Sequence, residues 1–301
     1  MTDSGHDLLF GAFVTPAARD AAGVVDLALT AERAGLDLVA FQDHPYLAEY
    51  LDTQALLAYA AARTERVHLT AAVTSLPLRL PAVLARAAAS VDVLSGGRFE
   101  LGLGAGAFWD GIAAMGGRRL TPGQAIAALR EAIEIIRGMW DTDAPDGVRY
   151  EGDYYSVNGA ERGPRPLHDI GIWVGGYGPR MLALIGAMGD GWLPSIEYLR
   201  GGAAALPEFN ARIDEAAIGA GRAPGAVRRL LCVLNNQLTD TPHGPFDGPP
   251  EAWIDQLAEL VLTHGMSGFL FGGDDASRLE RIGIEIVPAV REIVARERGA
   301  A

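Results

Sequence analysis

Short continuous apolar runs alternate with longer stretches of three- and four-residue hydrophobic spacing along most of the chain. Leu8–Val14 is the first run and ends at Thr15-Pro16. Asp20–Ala34 follows, with Val24, Leu27, Ala28 and Ala31 in helical register, and stops at Gly35. Strand Leu36–Phe41 precedes helix Thr53–Arg63, and strand Val67–Val73 precedes helix Pro81–Leu94. That helix opens on proline and closes at Ser95-Gly96-Gly97, because the first turn does not need the proline amide and the last favours a glycine backbone. Phe99–Leu103 is the fourth strand. The clearest helix is Pro122–Trp140, where Thr121 and Gln124 form a capping box. Along it Ile126, Leu129, Ile133, Ile136 and Trp140 recur at helical steps.

Asp141–Asp169 breaks the rhythm. Val148–Tyr150 and Tyr154–Val157 flank Glu151-Gly152-Asp153 and read as a β-hairpin insertion, with Gly163-Pro164-Arg165-Pro166 as loop. The rhythm then resumes with strand Ile172–Val174, helix Pro179–Met188, strand Gly191–Leu193, helix Ala203–Gly219 and strand Leu230–Leu234. A second long loop, Thr239–Pro250, precedes helix Glu251–His264 and strand Gly268–Phe271. The last helix is predicted over Asp274–Ala295, kinked at Pro288. The first seven residues and the last five or so read as frayed ends.

Apolar strands alternating with helices mean parallel strands covered on both faces. Such repeats in a chain of this length predict an α/β fold, a single-domain (β/α)8 TIM barrel over residues 1–301 with insertions at about 141–169 and 239–250. An open doubly wound sheet is the alternative. In a barrel, function sits just beyond the C-terminal ends of the strands.

Composition narrows the chemistry. The chain has 301 residues, 25 Lys+Arg against 38 Asp+Glu, and a formal charge of −13; every basic residue is arginine. Without lysine there is no Schiff-base or pyridoxal-phosphate chemistry and no P-loop GK[ST]. The acidic balance argues against nucleic-acid and anionic-membrane partners. The lone Cys232 cannot form an internal disulfide, and no basic segment precedes an apolar leader, so a cytoplasmic setting is expected. No apolar run reaches the length of a membrane span.

Each strand end offers candidates. After the second strand stand Asp43 and His44, an imidazole beside a carboxylate that could move a proton near neutral pH, or a capping Asp and a surface His. Alternation sends the two side chains to opposite sides. Val73-Thr74-Ser75 follows the third strand, where a ligand could lie flat on backbone or the strand could simply end. Gly102-Leu103-Gly104-Ala105-Gly106 follows the fourth; it is not a dinucleotide fingerprint, which belongs to the first βα turn and opens a helix at once. Gly175-Gly176-Tyr177-Gly178-Pro179-Arg180 follows the fifth strand and opens a helix, so its free amides and arginine favour a phosphate. Trp192, in Gly191-Trp192-Leu193, reads as core. The histidines include no HxH or HExxH, so no metal site is expected. A glycosidase would need facing carboxylates, for which Asp43 and Asp110 are an unconvincing pair. No G-x-S-x-G elbow is present.

Together these stretches resemble the luciferase-like monooxygenase superfamily of flavin- and deazaflavin (F420)-dependent oxidoreductases. The matching segments are Gln42-Asp43-His44, Arg79–Arg86 (RLPAVLAR), Ser90–Gly106 (SVDVLSGGRFELGLGAG), Val174–Leu182 (VGGYGPRML) and Gly189–Trp192 (GDGW). The resemblance implies an F420 or FMN ring across the barrel mouth, lined by Val73, Thr74, Gly104 and Gly106. Its phosphate would lie on Gly175, Gly176, Tyr177, Gly178, Pro179 and Arg180. His44, with Asp43, would be the acid/base, and a non-proline cis peptide is expected near Val73-Thr74. The Asp-His pair resembles the F420 branch more than the luciferase branch, and Arg278 and Arg281 are positional candidates for the anionic F420 tail. The sugar-phosphate dehydrogenases of that branch carry Glu after GxGxG, where this chain has Ala107, and phosphate-binding lysines, which it lacks. Glucose 6-phosphate is therefore not the expected substrate. Hydride exchange with a small organic molecule is expected; an FMN monooxygenase fed by a separate reductase and a non-catalytic flavin-binding protein are the alternatives. The resemblance also implies a homodimer.

Overall fold

The computed structural model describes residues 5–300. Eight parallel strand positions form the barrel: β1 Leu9–Val14, β2 Leu38–Phe41, β3 His68–Ala71 continued by Thr74–Ser75, β4 Phe99–Gly104, β5 Ile172–Gly175, β6 Gly191–Trp192, β7 Arg228–Val233 and β8 Gly268–Gly272. The order runs β3-β2-β1-β8-β7-β6-β5-β4, and β4 returns to both parts of β3, through Leu69↔Phe99 and Thr74↔Leu103, which closes the ring. The open-sheet alternative is thereby excluded.

The expected helices surround this ring: α1 Ala21–Arg33, α2 Thr53–Arg63, α3 Pro81–Ser95, α4 Pro122–Trp140, α5 Pro179–Met188, α6 Leu206–Gly219 and α7 Pro250–Leu262. The sequence periodicities explain the packing. Along β2, Val39 and Phe41 join the large core between strands and helices, whereas Leu38 and Ala40 join a smaller cluster with Phe13, Trp173 and Cys232. That partition is the period-two alternation of a strand with apolar layers on both faces. The α4 capping box forms as predicted, and α3 ends on a left-handed Gly96 at φ 75°.

Several predicted boundaries move. The third strand does not run unbroken over Val67–Val73: it breaks at a cis Ala72–Val73 peptide and resumes at Thr74. Gly102 lies so close to this region that a Cβ there would stand 1.8 Å from the Ala71 carbonyl oxygen. The hairpin pairs Val148–Glu151 with Ser156–Ala160, starting its second strand later than expected. The cause is Glu131 of α4, whose carboxylate accepts the N–H groups of Asp153, Tyr154 and Tyr155. Likewise β7 stops at Val233 because Glu197 accepts the amides of Leu234 and Asn235. Within 239–250, Asp247–Gly248 pairs with Gln237–Leu238.

Near the C-terminus the expected single kinked helix is Ala276–Arg281, a π-helical stretch Ile282–Ile286, and Val287–Ala300. The widened turn precedes Pro288, which cannot donate an amide to the preceding turn. The frayed end expected there is helical through Ala300; the part of that expectation covering residues 1–4 and 301 lies outside the described residues.

Candidate active site

The C-terminal strand ends converge on a cavity of about 350 Å³. Asp43, His44, Val73, Thr74, Gly104, Gly106, Gly175, Gly176 and Tyr177 all line it. Gly178, Pro179 and Arg180 do not: they are exposed at the start of α5.

Strand β2 delivers Asp43 and His44 to different tasks. The Asp43 carboxylate is fully buried; it accepts the Ser75 amide at 2.9 Å and pairs with Arg79 at 2.8 Å. Arg79 also reaches Asp52 at 2.9 Å, the residue that caps α2. Asp43 therefore ties the ends of β2 and β3 together, and its oxygens are occupied. His44 lines the cavity beside it. Burial lowers the imidazole pKa below its ordinary 6.5, against the opposing charge of Asp43, so the ring is neutral at pH 7. Its Nδ1 lies 2.6 Å from the Tyr46 hydroxyl. Burial first, and Asp43 second, push the Tyr46 phenol up to about 12, so it too is neutral. A phenol donating to Nδ1 leaves Nε2 as a donor; the reverse tautomer leaves Nε2 as an acceptor.

On β3 and β4, the Thr74 hydroxyl is buried and has no partner among the described residues. A Cβ on Gly104 would come within 2.5 Å of the Val73 side chain, and one on Gly175 within 3.3 Å, so glycine is what lets β4 and β5 approach Val73. The non-proline cis peptide lies at Ala72–Val73, beside the region where it is expected.

The glycine loop after β5 is pinned from below. Trp192, fully buried as expected of core, donates its indole N–H to the Gly176 carbonyl at 2.9 Å. The Tyr177 hydroxyl accepts the Ser195 amide at 2.9 Å. At the start of α5 the Arg180 and Met181 amides have no acceptor in the preceding turn. The Arg180 guanidinium lies toward Gly123 of α4, where a Cβ would be 3.4 Å from Nη1.

Tyr46, Leu193, Ser195 and Cys232 also line the cavity and were not among the residues expected there; Phe108 joins them from the loop Phe108–Arg119, which the sequence marks as shaping the substrate pocket. Tyr46 carried a signal, being two residues beyond His44 on the same loop. Leu193 and Cys232 carried none, because only barrel closure decides which face of a fully apolar strand looks inward. Cys232 is buried and its thiol is pushed up to about 12, which leaves it unreactive. Among the described residues there is no cluster that could hold a metal ion.

This geometry defines a luciferase-like barrel, and the chain belongs to the luciferase-like monooxygenase family, whose model matches residues 8–237. It is 35% identical over 176 residues to an F420-dependent glucose-6-phosphate dehydrogenase of Amycolatopsis mediterranei, covering 56% of this chain and 52% of that protein. The chain thus spans about half the length of that relative. It is 30% identical over 272 residues to the enzyme of that name from Kribbella flavida, covering 87% of this chain and 76% of the relative. In fold it matches an F420-dependent secondary alcohol dehydrogenase solved with an F420-acetone adduct, at a TM-score of 0.83 and 19% identity over 95% of this chain and 100% of that one.

Proposed function

We propose that this chain is a flavin- or deazaflavin-dependent oxidoreductase, with F420 the favoured cofactor, that exchanges hydride with a small organic substrate. One observation carries the reading: a single cavity gathers the His44–Tyr46 pair, Val73, Thr74 and the glycines of the β4 and β5 loops. The relatives named for F420 support the choice of deazaflavin.

The residues fit such a group. Val73, Gly104 and Gly175 present a surface without projecting polar atoms, and the buried, unpartnered Thr74 hydroxyl suits a polar ring edge. The α5 amides of Arg180 and Met181, with the Arg180 guanidinium, would hold phosphate in place of the missing lysines. Arg278 and Arg281 line a pocket apart from this cavity; Arg278 donates to the Asn236 and Gly272 carbonyls and Arg281 pairs with Glu285, so each would have to give up a partner to take an anionic tail. When bound, the ring supplies a two-electron hydride acceptor or donor. His44, with Nδ1–H donated to the Tyr46 oxygen, takes the hydroxyl proton of the substrate at Nε2 as hydride leaves, and the imidazolium so formed returns it to the carbonyl oxygen in the reverse direction; Asp43 holds the loop.

Titrating the protein with F420 and with FMN, followed by ring absorbance and fluorescence, tests the reading. F420 should bind at micromolar levels and FMN more weakly; binding of neither sinks it. His44→Ala should lower turnover by about a hundredfold and leave cofactor affinity nearly unchanged. Oxygen consumption with reduced FMN would point instead to a monooxygenase fed by a separate reductase. Retained cofactor without turnover would point to a binding protein.

We assign residues 1–301 to one barrel domain, with 141–169 and 239–250 as insertions. A cytoplasmic setting agrees with the free, buried Cys232, and among the described residues no helix is long and apolar enough to cross a membrane. A homodimer through α2 and α3 is supported by their exposed Tyr59, Leu80, Val83 and Leu94, between 53% and 76% exposed. Light scattering should give a dimer mass for the protein and a monomer for the Val83→Glu/Leu94→Glu pair; a monomeric parent removes this proposal.

A further inference from the structure

The cavity is short of charge, and that shortage selects a substrate. Among its lining residues the one ionised side chain is Asp43. Its carboxylate already pairs with Arg79 and accepts the Ser75 amide, and Arg79 is divided between Asp43 and Asp52. No arginine belongs to the lining. The arginines of the adjoining loop are engaged elsewhere: Arg119 pairs with Asp110, and Arg118 lies over the Tyr154 ring at 5.6 Å. A phosphate or carboxylate entering here would lose its hydration without meeting a counter-charge, beside a buried carboxylate of its own sign. An ammonium would find the one carboxylate already neutralised.

What the cavity does offer is a polar point in an aromatic surround. His44 meets Phe108 edge-on at 5.2 Å, Tyr46 at 5.5 Å and Tyr50 at 6.3 Å. The Nδ1 side of the imidazole is taken by Tyr46, so Nε2 remains to recognise one oxygen. Ala105, Ala107 and Leu193 add apolar surface around it.

We propose that the substrate of this site is uncharged: an alcohol or carbonyl compound with an apolar body, its oxygen hydrogen-bonded to His44. This rests on the oxidoreductase reading above and narrows it. The dehydrogenases this chain resembles are named for an anionic sugar phosphate; a lining that holds a carboxylate and no arginine turns this site away from that class.

Binding of 2-hexanol, hexanoate, hexylamine and glucose 6-phosphate is to be measured by calorimetry, with the protein as purified and again after loading with F420. The alcohol should bind at least about tenfold more tightly than any charged probe in both forms. Equal or tighter binding of a charged probe overturns the proposal, and so does binding of none. A second measurement uses Ala107→Arg, at an exposed position of the lining. Hexanoate affinity should rise by about fivefold relative to that for 2-hexanol; an unchanged or lower ratio overturns the role of charge. F420 binding is read separately from ring fluorescence. Charge selection that persists without F420 binding therefore removes the cofactor reading and leaves this one standing.

Discussion

The phenol oxygen of Tyr46 stands 2.6 Å from Nδ1 of His44, and both side chains line the cavity at the barrel mouth. This contact occupies one imidazole nitrogen, and the proposed reaction uses the other. Tyr46→Phe should therefore lower kcat by about tenfold or more while F420 affinity stays within a small factor. A loss confined to KM would remove Tyr46 from proton transfer.

The protonation of His44 has a sign that can be checked. Burial places its pKa below the ordinary 6.5. As pH falls, the unfolded chain takes up this proton before the folded one does. The stability His44 contributes is thus complete above 6.5 and is lost as pH falls through the lower folded value. Nitrogen-15 spectra of the imidazole should show it titrating below 6.5; a midpoint above 6.5 contradicts the environment described.

Arg79 is predicted to matter more for the shape of the site than for its chemistry. Arg79→Met strands the fully buried Asp43 carboxylate and should cost about 3 kcal/mol in denaturant unfolding. Adding Asp43→Asn should restore part of that loss, since the uncompensated charge is then gone. A double variant less stable than Arg79→Met would refute the pairing as the cause.

Thr74 separates ligand binding from folding. Its buried hydroxyl has no partner among the described residues, so Thr74→Val should leave the cofactor-free protein as stable or more so, by about 1 kcal/mol. F420 affinity should fall several-fold as the bond to the ring edge is lost. Unchanged affinity would mean that the hydroxyl does not face the ligand.

Most of the fold was legible because its signals are local. The capping box of α4, the proline and glycine that bound α3, and the apolar runs of the strands each depend on residues close in sequence. The same holds for Asp43-His44 and for the glycines after β4 and β5, which mark where backbone must come close to something. Two of the misplaced boundaries, in the hairpin and at the end of β7, share a cause. Glu131 and Glu197 reach across the fold to take backbone amides that the local pattern assigned to strands.

The sequence by itself determined the order of strands and helices, the absence of amine chemistry, and the loops from which a site could be built. Tertiary structure decided which residues meet. Barrel closure set Leu193 and Cys232 facing the cavity, because an apolar strand covered on both faces carries no mark of which side is inner. It turned Asp43 inward to Arg79 and left the His44 imidazole lining the cavity, because a buried carboxylate must find its counter-charge wherever the chain brings one. It also gave Tyr46 to His44, a pairing that rests on a distance and on the desolvation around it.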